Sequence, residues 1–152
     1  MASQVPYASA TSGAAARDEI TKLLRRMGCE SVGFMDNFDE KTVLLAFKHR
    51  GRAIQFEASA KGWAAWFLKE NPWNQRMKKT KPQHEAAALD QGLIAVNSIL
   101  RDYVKGMMTA VECGLMSVET AFLAHLITEN GETVGQRITS LKLLPAPTES
   151  AG

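Results

Sequence analysis

Apolar residues recur along this chain with two different periods. Ile20, Leu23, Leu24 and Met27 fall at i, i+3, i+4 and i+7, one face of a helix predicted from about Ala14 to Met27. Asp18 and Glu19 near its start and Arg25 and Arg26 near its end suit the helix dipole, and Gly28 suits a left-handed C-terminal residue. The period then shortens. Val32–Met35 reads as a strand, Asp36 to Glu40 as a turn, and Thr42–His49 as an apolar second strand. His49-Arg50-Gly51-Arg52 turns the chain, and Ala53–Ser59 returns with Ile54, Phe56 and Ala58 on one face and Gln55, Glu57 and Ser59 on the other.

The helical period resumes in a short helix over Lys61–Leu68, ended by Asn71-Pro72 because the residue before proline avoids the helical region. Trp73–Lys79 reads equally as a loop or a helical turn. Thr80-Lys81-Pro82-Gln83 fits a capping box, opening a long helix that reaches about Cys113 before Gly114. Its apolar series, Leu89, Leu93, Val96, Leu100, Tyr103, Met107 and Ala110, alternates steps of four and three, a heptad pattern. Cover by the first helix and the sheet, or a homodimer seam, would each use it. Ser117 caps a further helix over Val118–Ile127, with Phe122 and Leu126 inward; residues 132–144 fit either a strand or a short helix. Residues 1–13 read as a flexible tail, 14–144 as a single domain and 145–152 as a disordered tail. The expected fold is α+β: a three-stranded antiparallel meander packed on a long helix, with two to three shorter helices.

Charge changes this picture at one place. Residues 41–84 carry ten Lys/Arg against two acids, in a chain whose net charge is +2, and all three tryptophans, Trp63, Trp66 and Trp73, lie there. The acids outnumber the bases on both flanks. A basic centre interleaved with aromatics points to a polyanion. The hairpin tip contributes Lys48, Arg50 and Arg52, and the segment before the long helix contributes Trp73, Arg76, Lys78, Lys79 and Lys81. Cations at a helix N-terminus suit phosphate, and Trp73 is the candidate base-stacking residue. Trp63 and Trp66, three apart, share a helix face that is read mainly as core. If the two clusters face each other they form one basic groove.

Other chemistry is sparsely signalled. The chain has no G-x-x-x-x-G-K-[ST], no G-x-G-x-x-G and no G-x-S-x-G. His49, His84 and His125 are remote from one another, and no C-x-x-C occurs, so no metal or other cofactor is expected. Cys29 and Cys113 are expected to be buried thiols. His84-Glu85, in the first turn of the long helix, is the one pair suited to acid–base work. Residues 1–16 lack the apolar run of a secretory signal, and no apolar stretch approaches the ~20 residues of a membrane span. These features imply a cytoplasmic protein without membrane contact.

Helix, three antiparallel strands, then Lys78-Lys79-Thr80-Lys81 opening a helix with Ala86-Ala87-Ala88-Leu89 resembles the element order of double-stranded-RNA-binding domains. A tryptophan-rich insertion and a longer last helix depart from that family. Asn71-Pro72-Trp73-Asn74, His84-Glu85, Leu100 to Gly106 and Ala110 to Gly114 are similar to small uncharacterised phage and prophage proteins over about residues 15–138. That resemblance implies a mobile-element setting and no activity. The leading expectation is a non-catalytic accessory protein that binds DNA or RNA backbone through Lys48, Arg50, Arg52, Trp73, Arg76, Lys78, Lys79, Lys81 and His84. The alternatives are a module that regulates or inhibits a host enzyme through an acidic protein surface, a dimeric scaffold, and a small hydrolase or transferase using His84 and Glu85.

Overall fold

The computed structural model describes residues 5–148. It is α+β. Helix α1 (Gly13–Arg26) leads into strands β1 (Ser31–Asn37), β2 (Thr42–His49) and β3 (Arg52–Ser59), followed by α2 (Ala60–Glu70), the long α3 (Lys81–Glu112), α4 (Val118–Ala121) and α5 (Val134–Ser140). The strands form an antiparallel meander in sequence order. Val43, Leu45, Phe47 and His49 of β2 point to one buried face, joined by Ile54 and Phe56 of β3. Against them pack Ile20, Leu23 and Leu24 from α1, and Val96, Leu100, Val104 and Met108 from α3. Phe122 closes the core, edge-on to Phe47 and Phe56 with ring centroids 5.8 and 5.9 Å away. The opposite sheet face carries Leu44, Ala46, Gln55 and Glu57, half-buried or exposed.

The buried stripe of α3 differs from the expected heptad. It runs His84, Ala88, Gly92, Val96, Leu100, Val104, Met108, in steps of four. Four residues turn a helix by about 400°, so the stripe rotates by roughly 40° per step. The first half of the stripe faces α2 and the second half faces α1, the sheet and α4, so that the expected cover by the first helix and the sheet holds for the second half. Gly92 marks the closest approach: a Cβ there would lie 2.8 Å from the Ala60 carbonyl oxygen. Val96 and Leu100 are buried within the single chain, which removes the centre of the expected dimer seam; Tyr103 alone of that seam is exposed.

Three further expectations change. Residues 5–12 lie against the helices, although their composition reads as a tail. Val5 is buried, Trp63 Nε1 donates to the Pro6 carbonyl (3.0 Å), Tyr7 Oη to Asp102 Oδ2 (2.6 Å), and Gln91 Nε2 to the Ala10 carbonyl (2.8 Å). Residues 1–4 and 149–152 lie outside the described residues. The helix expected over Val118–Ile127 stops at Ala121, passes through a 3-10 turn, Leu123–His125, and ends in a bridge pairing Leu126 with Ile54 at the β3 edge. The ambiguous segment after it folds as α5, with its own capping box from Thr133 and Gln136.

Candidate nucleic-acid interface

Helices α2 and α3 form an antiparallel hairpin. Ala60 at the start of α2 meets Gly92, and Phe67 near its end meets His84 at the start of α3. Residues 71–80 close that hairpin and carry the basic cluster. Their conformation is pinned at three points. His84 Nε2 donates to the Asn71 carbonyl (2.7 Å), Trp73 Nε1 to the Lys79 carbonyl (2.8 Å), and Thr80 and Gln83 exchange the two bonds of a capping box. Within the loop, Asn74 Oδ1 accepts from Arg76 N (3.0 Å). The side chains of Arg76, Lys78, Lys79 and Lys81 are exposed, as is Lys69 on the last turn of α2. Among the described residues none of these five cations takes part in an ion pair.

His84 requires a correction. The residue is 4% exposed and its ring lies beside Phe67, so it holds the loop from beneath and meets no surface ligand. The apolar side of α2 requires that the first turn of α3 turn one residue inward, and His84 is that residue. Its neighbour Glu85 is exposed, so the two do not converge as an acid–base pair. The helix N-terminus is also less available to an anion than its position implies. Pro82 has no N–H, Gln83 N donates to Thr80 Oγ1 (3.3 Å), and His84 N to the Thr80 carbonyl (2.9 Å). The side chains carry the attraction here, and the helix end adds little.

The tryptophans divide differently from the sequence reading. Trp63 is 6% exposed and stacks on Phe67 at 5.3 Å, in the core. Trp73 is half-buried with its N–H committed to the loop. Trp66, three residues from Trp63, is 47% exposed. The edge of the buried face falls between them, because Ala60, Trp63, Ala64 and Phe67 complete the contact with α3. Around Trp66, the exposed Gly62 and Ala65 are too small to cover the indole, and Lys69 follows one turn on. Trp66 is therefore an open aromatic surface on the helix that leads into the basic loop. Gly62, one turn before it on the same face, was the sequence signal for this.

The hairpin tip lies elsewhere. His49 lines a cavity with Val111, near the C-terminal end of α3, whereas the loop joins Lys81 at its start. Thirty residues of helix separate the two clusters by about 45 Å. They form two sites, and the single basic groove is not made. Lys48 lies on the open sheet face, opposite to His49. Arg52 pairs with Glu119 at 3.5 Å. Cys113 is exposed and Cys29 half-buried, both free; burial pushes the Cys29 thiol up to about 11. Among the described residues no group of three or more His, Cys, Asp or Glu is placed to hold a metal, and no helix is long and apolar enough to cross a membrane. No protein-family model, curated protein or solved structure gives a significant match to the chain.

Proposed function

We propose that this chain is a non-catalytic nucleic-acid-associated accessory protein of a phage or other mobile element, acting in the cytoplasm. It grips phosphate backbone with Lys69, Arg76, Lys78, Lys79 and Lys81, and takes an unpaired base against Trp66. One observation carries this reading: five cations without an ion pair stand on a pinned loop and the adjoining helix turns, and the helix that leads into that loop carries an open indole. Released counterions supply most of the affinity in such contacts. Stacking on an aromatic ring adds about 1–3 kcal/mol per base. The anchoring of the loop by His84, Trp73 and the capping box reduces the ordering cost of binding.

The test is equilibrium binding to single- and double-stranded DNA and RNA across a salt series. The expected result is a steep fall of affinity with salt and a preference for single strands. Absence of binding to all four polymers at low salt overturns the reading and favours an acidic protein partner, for which the same cations would serve. The hydrolase or transferase reading has no geometric support, since His84 faces the interior and Glu85 faces solvent.

A further inference from the structure

The second basic cluster has a feature the loop lacks. At the hairpin tip a cavity of about 220 Å³ is lined by His49, Arg50, Arg52, Met116, Ser117 and Glu119, among others. His49 is 4% exposed, and its Nδ1 is buried without a hydrogen-bond partner. That atom is shut off from the cavity as well as from solvent, so it is a fixed cost of the fold that no ligand in the cavity relieves. His84 also has an unpartnered Nδ1. There, Nε2 donates to a carbonyl, and the ring sits between packed side chains. His49 differs in its neighbours, because the residue lines a cavity that Arg50 and Arg52 also line.

The register explains the grouping. His49 and Arg52 are paired across the hairpin, so their side chains rise on the same face, toward α4. Arg50 and Gly51 complete a two-residue turn with φ of 50° and 80°, the left-handed pair that such hairpins need. Gly51 N donates to Glu30 Oε1 (2.8 Å), which fixes the turn from the outer side. Ser117 Oγ is taken up by Thr120. Glu119 draws on Arg52 through Nε, so the Arg50 guanidinium and the outer nitrogens of Arg52 are the donors still to be met.

We infer that this cavity binds a phosphate-sized oxyanion, held by Arg50 and Arg52 with His49 in the cavity wall. Two guanidinium groups match the oxygens of a phosphate in geometry as well as charge. The volume is below the range of about 300–1,000 Å³ usual for drug-sized ligands, so a phosphate group fits and a whole nucleotide does not. The site is independent of the α2–α3 loop and of the nucleic-acid reading. Its ligand is either free phosphate or the terminal phosphate of a larger molecule.

The experiment is titration of the full chain with inorganic phosphate, followed by the His49 ring resonances. The expected result is a saturable shift, with affinity weakened by about tenfold or more in Arg50→Gly and in Arg52→Gln. Arg50→Gly relaxes the left-handed backbone, so it tests the side chain in a folded protein. The Lys78/Lys79/Lys81→Ala variant is expected to bind phosphate as wild type does. A 5′-phosphorylated dinucleotide that binds more tightly than both phosphate and its 5′-hydroxyl counterpart assigns the site to strand ends; equal binding of phosphate and the phosphorylated dinucleotide assigns it to the free ion. No shift of the His49 ring, or unchanged affinity in both arginine variants, overturns the inference.

Discussion

The two ends of α3 carry similar charge and use it in opposite ways. At its N-terminal end the cations stand on a loop, exposed and unpaired, and the helix leading into that loop exposes Trp66. At its C-terminal end, Arg50 and Arg52 flank a small cavity with a buried histidine, and Arg52 is partly neutralised by Glu119. On the proposed reading, the first arrangement attracts any polyanion and discriminates little, and the second selects by size and by the direction of its donors. Charge alone does not distinguish the two; what distinguishes them is the backbone beneath, a pinned α–α connection in one case and a tight β-turn against a helix in the other.

Four changes break or sharpen this contrast. The largest expected effect is from Gly92→Ala. Its methyl group would meet the Ala60 carbonyl at 2.8 Å, so α2 must move off α3, at a cost of about 1–3 kcal/mol. Urea unfolding measures that loss, and strand binding should weaken while phosphate shifts at His49 persist. Equal damage at both ends would refute their independence. Next is Trp66→Ala, expected to reduce single-strand affinity by about 1–3 kcal/mol while leaving double-strand affinity and the salt slope nearly unchanged. Stability should barely move, since Trp66 is half exposed.

A smaller effect should follow His84→Leu. The substitution removes the bond that holds the Asn71 carbonyl, loosening the loop from below at a cost of about 1 kcal/mol. Strand affinity should fall modestly, with an unchanged salt slope, because no cation is removed. An intact affinity in a folded protein would mean that the latch is dispensable. The smallest effect is on the hairpin side. Burial pushes the His125 imidazole below its usual 6.5, and a backbone contact with Gln55 opposes this. Its ring stacks on Phe56 at 4.0 Å. As pH falls below 6.5, the unfolded chain takes up a proton that the folded chain resists, so stability declines in that window and is fully present above it. Urea midpoints at neutral and mildly acidic pH should differ by less in His125→Gln than in wild type.

Much of the fold follows from local signals. The meander, the Thr80 capping box and the Gly28 helix end each depend on residues close in sequence, and each forms as that spacing predicts. Long-range packing was less legible. The heptad reading of α3 departs from the buried stripe because different partners, α2 and then α1 with the sheet, cover successive parts of the helix, so the buried positions step by four and rotate around the axis. Val5 and Tyr7 were hidden in an Ala/Ser-rich stretch, since their anchors, Trp63 and Asp102, lie far along the chain. The basic residues of the loop were evident from composition. That His84 lies beneath them and Trp66 stays open on α2 depends on where α2 meets α3, which no single-helix periodicity specifies.

The central claim is that the α2–α3 loop contacts phosphate backbone, and the salt dependence of strand binding tests it most directly. In a plot of log affinity against log salt for a single-stranded oligonucleotide, Lys78/Lys79/Lys81→Ala should lower the magnitude of the slope by roughly 2, at about 0.7 per lost phosphate contact. Arg50→Gly, at the other end of α3, should leave the slope as in wild type. A triple variant with the wild-type slope would contradict the account.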